Sequence, residues 1–340
     1  MKVTCFCTLD TGLFALESAL NLGVKINRVI GLNPKSVIDQ NKVSGFIDIS
    51  SFCKKHKLDF KYVDDYSLKT IDPKSILKNV DLIWVLGWQR LLPSSFISYP
   101  KIATLGSHGS CDGIVKGRGR SPQNWALIMG KKKFKVSMFK ISDGIDNGNI
   151  ILTKDIKYTK FDNIIHSYIK VGLSIANCLH KIVNNPNLIK KAKKQKGKAE
   201  YFPKRIPEDG FIDWSMSAVD IFNQIKSLSR PYPIARSIIN KEMIFINKAS
   251  YIENSLDNSH GKILYFFSNG EILVSCGIGT LIIEDYQIKN KKFISLGSFF
   301  KSVSMKKTVK KIVKRFEKDF PKKNINRSLL LFWKKGGLIK

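Results

Sequence analysis

Short apolar runs of strand length alternate with helix-patterned segments through the first third of the chain. This alternation constrains the fold more than any other feature of the sequence. The predicted strands are residues 2–7, Val24–Leu32, Asp59–Val63, Leu82–Leu86 and Lys101–Leu105. The predicted helices cover Thr11–Asn21 and Ser44–Lys57, and a third closes near Ile76–Asn79. Strands that alternate with helices predict an α/β fold with an open, mostly parallel sheet.

In open α/β sheets, functional residues lie at the carboxyl ends of the strands. His108 comes soon after the run Lys101–Leu105, so we expect it just past the end of that strand. The segment Lys135–Ile141 alternates apolar and polar residues and predicts the next strand. Asp146 lies between two turn dipeptides after that segment, and it approaches His108 if the two strands are neighbours.

A glycine-arginine loop lies between those two strands. It consists of Gly117, Arg118, Gly119 and Arg120. Glycine is costly inside a helix, so the loop cannot be helical. Ser121 followed by Pro122 predicts a helix start, with serine as the N-cap and proline at the first helical position.

A histidine with a distant aspartate is often structural, so His108 and Asp146 alone do not decide a function. They stand, however, in an ordered set of motifs, with HGS at 108, GRGRSPQNWALI at 117 and GIDNGNII at 144. Further motifs are WVLGW at 84, LLP at 91, YFPKRIPEDG at 201 and IDW at 212. This set resembles the signature of the folate-dependent formyltransferase family, and it covers most of residues 1–250.

The resemblance implies the site. The family pairs a strand-end histidine with a later aspartate and takes its formyl group from N10-formyltetrahydrofolate. His108 and Asp146 are then the catalytic residues. The implied cofactor-binding residues are Leu86, Gly87, Trp88, Asp143, Gly144 and Asp146. The implied substrate-binding residues are Arg118, Gly119 and Arg120. No cluster with metal-ligand spacing is visible, so no metal is expected.

The resemblance also implies a role for each catalytic residue. His108 hydrogen-bonds the formyl oxygen and stabilises the oxyanion. Asp146 influences the charge state of the imidazole and helps to relay the amine proton.

Two departures from the family pattern lie close to His108. The family has asparagine two positions before the histidine, and this chain has Gly106 there. A longer segment, Cys111–Val115, replaces the family's Leu-Leu-Pro. The asparagine would donate a hydrogen bond to the oxyanion, and losing one such donor typically costs on the order of a hundredfold in rate.

Two acceptor amines remain open. The motifs GRGRSP at 117, KRIPEDGFIDW at 204 and SRPYPIA at 229 are similar to those of enzymes that formylate a nucleotide-linked amino sugar for surface polysaccharide or lipopolysaccharide biosynthesis. The alternative is a methionyl-tRNA formyltransferase acting on initiator tRNA, which the net charge of +31 favours through phosphate contacts. We weight the motifs above the charge, because a lysine-rich composition explains the charge. A third hypothesis is an inactive relative that acts as a binding module, supported by Gly106.

The sequence predicts a catalytic domain over 1–186, a basic linker over 187–206, a C-terminal domain over 207–290 and a basic tail over 291–340. Short strands are expected at Glu242–Asn247, Gly261–Phe267, Glu271–Cys276 and Gly279–Asp285, a spacing typical of a small barrel. The resemblance implies that this barrel is of the oligonucleotide-binding type. The tail predicts a basic amphipathic helix near 303–316 that packs its apolar face on the barrel, followed by an exposed apolar patch at Leu329–Trp333.

Several classes of protein are disfavoured. The first turn after residue 7 lacks GxGxxG, so a dinucleotide cofactor is not expected. We expect neither membrane insertion nor a signal peptide. The scattered cysteines, including a buried Cys5-x-Cys7 pair, predict free thiols and a reducing cytoplasm. A homodimer remains open.

Overall fold

The computed structural model describes residues 1–38, 43, 45–230, 232–288 and 294–339. The chain divides into two units. The first comprises Met1–Arg118, Lys135–Ile156 and Tyr168–Lys198, and the second comprises Gly119–Phe134, Lys157–Ser167 and Ala199–Lys340. The boundary crosses the chain five times, so each unit is built from separated segments. The N-terminal unit thus includes much of the basic stretch that the sequence predicted to be a linker.

Strands and helices alternate through the first 200 residues. In chain order they are β1 Val3–Cys7, α1 Asp10–Asn21, β2 Ile26–Leu32, α2 Pro34–Ile38, α3 Ser50–Lys55, β3 Asp59–Val63, α4 Pro73–Ile76, β4 Leu82–Leu86, α5 Ser94–Ile97, β5 Ala103–Ser110, β6 Arg118–Gly119, α6 Pro122–Ile128, β7 Lys133–Lys140, β8 Ile150–Lys157, α7 Ile164–Asn184 and α8 Asn187–Lys190.

The remainder of the chain is mainly antiparallel strand, followed by two helices. The elements are β9 Glu200–Phe202, a 3-10 turn at Pro207–Gly210, α9 Ala218–Ser227, β10 Ala235–Ile239, β11 Glu242–Ile252, β12 Ile263–Phe266, β13 Ile272–Ser275, β14 Thr280–Ile288, β15 Phe300–Lys301, α10 Met305–Asp319, β16 Asn324–Ile325 and α11 Arg327–Lys335.

The central sheet of the first unit has, within the described residues, the strand order β3-β2-β1-β4-β5-β7-β8. The five strands from β3 to β5 pair in parallel, and β7 pairs antiparallel with β5. Buried apolar side chains fill one side of the sheet, among them Phe6, Ile30, Ile83 and Phe96. The predicted open, mostly parallel α/β sheet is confirmed.

The strand order reverses between β1 and β4, which lie side by side although β2 and β3 separate them in sequence. At this point the connections leave toward opposite edges of the sheet and open a crevice at the carboxyl ends of the strands. The hydroxyl of Thr8, just after β1, donates a hydrogen bond to the Gly87 carbonyl just after β4, at 3.0 Å. The two strand ends that border the crevice are therefore joined directly.

The second unit contains an antiparallel sheet with the order β12-β13-β14-β11-β10-β15 in its described part. It curves into a half-barrel whose core includes Trp214, Ile225, Ile246, Ile272 and Leu281. The predicted C-terminal barrel domain is confirmed. The sequence prediction missed β10, a strand of only five residues that begins soon after the proline-rich segment 230–233.

Three sequence predictions of local structure need correction. The expected helix over Ser44–Lys57 is shorter, because Gly45 has a φ of +77° and α3 begins only at Ser50; Ser44 itself lies outside the described residues. The carboxylate of Asp48 accepts from the Ser50 amide at 2.9 Å and so fixes the helix start. The expected exposed patch at Leu329–Trp333 is only partly correct, because α11 buries Leu329 and Trp333 while Leu331 is exposed. The expected strand Lys101–Leu105 is longer at its carboxyl end, because β5 covers Ala103–Ser110.

The basic helix predicted in the tail is present as α10. Its apolar residues Val309, Ile312 and Phe316 are buried, as expected, while most of its lysines are exposed. Val309 and Ile312 line a small cavity together with Trp125 and Trp333, all of them in the second unit. The apolar face of this helix is thus covered by its own chain.

Across the described ranges, no helix combines the length and the apolar character that crossing a bilayer requires. The six cysteines are free thiols, and Cys5, Cys7, Cys53, Cys178 and Cys276 are buried. The prediction of buried free thiols in Cys5-x-Cys7 is confirmed. Burial raises the pKa of the Cys7 and Cys276 thiols to about 12.

Candidate active site

His108 lies within strand β5 rather than beyond its end, and it pairs with Ser137 of β7. The prediction that this strand ends at Leu105 is wrong. The described ladder between β4 and β5 stops at Leu105, but β7 continues the pairing on the other side as far as Ser110. An antiparallel neighbour supplies the backbone hydrogen bonds that the parallel one no longer provides. The His108 side chain is 11% exposed, so its ring is only partly open to solvent.

Asp146 lies on the turn that connects β7 and β8. Its φ of +48° is in the left-handed region, which costs a residue with a side chain roughly 1–2 kcal/mol. Gly148 completes the turn, because a Cβ at that position would overlap the carbonyl oxygen of Lys140. This geometry brings Oδ2 of Asp146 to 3.4 Å from Nδ1 of His108. The two residues predicted to be catalytic are therefore neighbours in the first unit.

The other ring nitrogen of His108 also faces an oxygen. Nε2 lies 2.6 Å from the carbonyl oxygen of Gly117, which is an acceptor, so Nε2 carries a proton and donates. Gly117 must be glycine here, because a Cβ would overlap the hydroxyl of Ser110. The loop after β5 thus folds back against the imidazole, and it orients the Nε2–H bond.

Gly106 stands where a donor was expected from the resemblance. A Cβ at this position would meet the side chains of Ile141 at 3.0 Å and Phe139 at 3.1 Å. Both neighbours approach with side chains rather than with backbone, and the φ of Gly106 lies outside the left-handed region. A side chain therefore fits only if these two neighbours shift by a few tenths of an ångström.

The guanidinium of Arg118 is engaged inside the first unit. Its Nη2 donates to Oδ1 of Asn147 at 3.1 Å and to Oε1 of Gln195 at 2.7 Å, and the residue is 8% exposed. Gln195 in turn donates to the carbonyls of Asp146 and Gly148, both at 2.8 Å. The sequence interpretation missed Gln195 and Asn147. Gln195 is a single amide among lysines, and nothing in the local pattern marks it as part of a site.

Gly119 and Arg120 belong to the second unit, because the boundary falls between Arg118 and Gly119. Gly119 has a φ of +93°, and a Cβ there would lie 2.6 Å from the carbonyl oxygen of Phe202. The amide of Arg120 donates to that same carbonyl at 3.1 Å, and the Arg120 side chain is exposed. Substrate binding by Arg118, Gly119 and Arg120 stays a prediction.

The helix after this loop begins where the sequence predicted. Helix α6 has Ser121 at the N-cap position and Pro122 as its first residue. Ser121 does not cap the helix with its side chain, because its φ of +57° turns the hydroxyl away. The hydroxyl lies instead 3.3 Å from the hydroxyl of Tyr232.

Leu86, Gly87 and Trp88, which the sequence predicted to bind the cofactor, lie at or just after the end of β4, beside the reversal of strand order. Leu86 ends β4, and Gly87 follows it with a φ of +68° and an exposed backbone. A Cβ on Gly87 would lie 2.8 Å from the Leu9 side chain, so only glycine leaves this cradle open. Trp88 is buried, with its ring edge-on to Phe6 at 5.3 Å between centroids.

Asp143 and Gly144 are exposed on the turn that carries Asp146. Oδ1 of Asp143 accepts a hydrogen bond from the hydroxyl of Ser94 at 3.2 Å, and Gly144 has a φ of +98°. The exposed backbone at Gly87 and Gly144 can pair with the polar edge of a planar heterocycle. The residues present thus fit a pterin. In the described part of the chain, no three His, Cys, Asp or Glu side chains form a group that could hold a metal ion.

Family models match this chain in two segments. The model described as formyl transferase matches residues 18–170, and the model for the formyl transferase C-terminal domain matches residues 204–304. The first match contains His108 and Asp146, and the second contains the half-barrel. Together the two matches span most of both units.

Two individual proteins are also similar to this chain. The bifunctional polymyxin resistance protein ArnA of Wigglesworthia glossinidia brevipalpis is 32% identical over 342 residues, which cover 97% of this chain but 49% of that protein. The chain therefore spans about half the length of this relative. A methionyl-tRNA formyltransferase of Sulfurihydrogenibium sp. is 30% identical over 219 residues, which cover 64% of this chain and 70% of that enzyme.

A solved structure supports the fold. The N-formyltransferase of Helicobacter canadensis, in complex with folinic acid and dTDP-3-aminofucose, superposes with a TM-score of 0.55. The match covers 83% of this chain and 98% of that one at 16% sequence identity, so it is evidence for the fold alone.

Proposed function

The chain belongs to the formyl transferase family, and we propose that it transfers a formyl group from N10-formyltetrahydrofolate to the amine of a nucleotide-linked amino sugar. The observation that carries this proposal is the pairing of His108 with Asp146 at 3.4 Å beside the crevice of the sheet. A partly exposed imidazole whose second nitrogen donates a proton, next to a carboxylate, suits acyl transfer to an amine.

His108 is the donor to the developing oxyanion. The bound folate supplies an electrophilic formyl carbon, and the acceptor amine attacks that carbon. The Nε2–H of His108 then donates to the formyl oxygen as negative charge grows on it. In the present structure that N–H bond points at the Gly117 carbonyl, an oxygen acceptor of the same kind.

Asp146 acts on the other side of the ring. Its Oδ2 lies 3.4 Å from Nδ1, and its side chain is 19% exposed, so an amine or a water molecule can reach it. It accepts the proton that the amine loses as the new C–N bond forms, directly or through a water molecule. That proton then passes to the nitrogen of the leaving folate as the old C–N bond breaks. The Asp146–His108 pair thus serves as both relay and oxyanion donor.

Leu86, Gly87, Trp88, Asp143 and Gly144 hold the pterin in this proposal. Gly87 lies at the reversal of strand order, where ligands of open α/β sheets bind. Gly87 and Gly144 are both exposed, which supports backbone contacts to the folate at these positions. Folinic acid in the Helicobacter canadensis structure supports the choice of a folate donor.

A sugar acceptor is favoured over initiator tRNA. The Helicobacter canadensis N-formyltransferase, whose structure contains dTDP-3-aminofucose, supports a nucleotide-linked amino sugar as the acceptor. The motifs GRGRSP and KRIPEDGFIDW point in the same direction. The net charge of +31 supports the tRNA alternative, but the lysines are spread over the whole sequence. We place the reaction in the cytoplasm, and a homodimer stays a prediction.

The test is an acceptor panel. Purified protein is incubated with N10-formyltetrahydrofolate and UDP-, dTDP-, GDP- or CMP-linked amino sugars, with methionyl-tRNA in parallel, and products are identified by mass spectrometry. We expect one nucleotide sugar to gain a formyl group, with no product from the His108→Ala variant. Formylation of methionyl-tRNA alone would replace this proposal by the tRNA alternative. Binding of folate and nucleotide without any product would favour the inactive relative.

A further inference from the structure

The turn that carries Asp146 accepts hydrogen bonds from a side chain in the lysine-rich stretch 187–206. Nε2 of Gln195 donates to the carbonyl oxygen of Asp146 at 2.8 Å and to that of Gly148 at 2.8 Å. A single amide group therefore bridges two backbone acceptors of the turn that carries the predicted catalytic carboxylate. Gln195 and the turn belong to the same unit, although they are far apart in sequence.

Arg118 fixes the orientation of that amide. Its Nη2 donates to Oε1 of Gln195 at 2.7 Å, so the oxygen of the amide faces the guanidinium and its NH2 group faces the turn. The same Nη2 reaches Oδ1 of Asn147 at 3.1 Å. Arg118 is 8% exposed, so this hydrogen bond is shielded from the solvent that weakens surface ion pairs. The chain of hydrogen bonds runs from a buried cation through an amide to the backbone on both sides of Asn147.

The turn needs such support because its backbone is strained. Asp146 has a φ of +48°, in the left-handed region that is unfavourable for a residue with a side chain. Strained conformations persist where the surrounding structure over-determines them. The two hydrogen bonds from Gln195 to backbone carbonyls of the turn stabilise it and oppose that strain. Without them the turn is free to relax, and the carboxylate of Asp146 is no longer held 3.4 Å from His108.

We propose that Gln195 and Arg118 are positioning residues that hold Asp146 against His108. This proposal rests on the proposed formyl transfer, because the held carboxylate is the proton relay of that reaction. It gives Arg118 a different task from the substrate binding that the sequence predicted. It also gives the lysine-rich stretch a catalytic contribution through one uncharged residue.

Substrate binding and positioning of Asp146 predict different kinetics for variants of Arg118 and Gln195. A residue that binds substrate raises KM when it is removed, whereas one that positions the relay lowers kcat. The informative variant is Gln195→Glu, which keeps the size and the interaction with Arg118 but turns an oxygen toward two carbonyl oxygens. The matched control is Lys196→Gln, an exposed neighbour whose substitution changes the net charge by the same amount.

We expect Gln195→Glu to lower kcat at least tenfold, equivalent to ~1.4 kcal/mol, with KM for both substrates changed less than threefold. Arg118→Lys retains one donor and should reduce kcat less than Arg118→Met does. Lys196→Gln should match the wild type. In an Asp146→Asn background, Gln195→Glu should cause little further loss, because the group that it positions is already absent.

Hydrogen exchange separates this proposal from the proposed function. Amides of residues 143–149 should exchange faster in Gln195→Glu than in the wild type, while amides of strands β1 and β4 do not change. This faster exchange is expected whether or not any acceptor is formylated. If it is observed without formylation, the positioning role of Gln195 stands and the proposed reaction does not. An increase in KM with unchanged kcat, or exchange that rises uniformly over the chain, would overturn the proposal. If Gln195→Glu does not fold, Gln195→Met removes the donor without opposing two oxygens and serves for the same measurements.

Discussion

The carbonyl oxygen of Gly117 lies 2.6 Å from Nε2 of His108, on the opposite side of the ring from Asp146. A carbonyl accepts and never donates, so the imidazole presents an N–H bond in this direction. The proposed reaction needs the same N–H bond to face a formyl oxygen. The Gly117 carbonyl thus occupies the acceptor position of the substrate, and a bound formyl group has to share or replace that hydrogen bond.

Removal of either member of the pair is the first prediction. We expect His108→Ala and Asp146→Asn each to lower kcat on the order of a hundredfold or more, because each removes a group that acts in the transition state. The thermal midpoint should change by only a few degrees, because neither side chain is part of the buried core. Steady-state kinetics with circular dichroism measure both. Turnover within about tenfold of the wild type, a loss of only ~1.4 kcal/mol, would remove the residue from the mechanism.

The sequence predicted what depends on local pattern. The alternation of strands and helices indicated the sheet, and motif positions brought out His108 and Asp146. What it missed depends on tertiary pairing. Strand β5 continues past Leu105 only because β7 lies beside it, and no property of residues 106–110 by themselves reveals that neighbour.

Gln195 could not be predicted for a related reason. Its neighbours in sequence are lysines, so composition suggested a solvated linker. Its hydrogen bonds reach Arg118 and the Asp146 turn through folding, and only the folded chain brings those groups within 3 Å. The burial of Trp333 in α11 was missed for the same reason, because the ring that packs against it belongs to the distant Trp125.

Gly106→Asn is the second prediction. The amide of asparagine would restore a donor near His108, so we expect formyl transfer to become faster by up to about a hundredfold. The new side chain presses on Ile141 and Phe139, and crowding of this kind costs typically about 1–3 kcal/mol of stability. Chemical denaturation should therefore show a lower free energy of unfolding than in the wild type.

The crowding can be separated from the chemistry with a second substitution. Ile141→Val removes the Cδ1 methyl, 3.1 Å from the Cβ position, but keeps Cγ1 at 3.0 Å, so the double variant should recover part of the lost stability and keep the faster rate. Ile141→Val alone is the control. A double variant that recovers stability but is no faster than the wild type would show that the asparagine donor is not used here.

Thiol reactivity is the third prediction. Burial raises the pKa of Cys7 and Cys276 to about 12, against an ordinary value of 9.0, so both stay protonated and unreactive at pH 8. Cys111 is half-buried and lies in the loop after β5. We expect iodoacetamide to modify Cys111 in the native protein and the remaining thiols only after unfolding. Peptide mass mapping of native and denatured samples, with Cys111→Ser as control, decides this.

The same two thiols should make the free energy of unfolding decrease at high pH. Their folded pKa lies above the unfolded value, so the unfolded chain releases their protons first as the pH rises. Their contribution to the free energy of unfolding is therefore intact below pH 9 and disappears between about pH 9 and pH 12. Replacing Cys276 with alanine should flatten this part of the pH dependence. Unchanged curvature would mean that the thiol ionises equally in both states.

The last prediction decides between sugar and tRNA through charge. Lys190, Lys191, Lys193 and Lys194 are exposed, and the backbone of Lys193 pairs with Ile150, so glutamine at all four positions preserves the fold. Exposed charges are weakened by water and by salt, so turnover on a nucleotide sugar should change less than a few-fold. If tRNA is the acceptor, log affinity falls with log salt. Each lysine that no longer neutralises a phosphate should then make this negative slope less steep by about one. The Michaelis constant of the quadruple variant, measured at several salt concentrations, reports on this directly. A large increase that disappears at high salt would place initiator tRNA ahead of the sugar, because only a polyanionic acceptor loses affinity in that way.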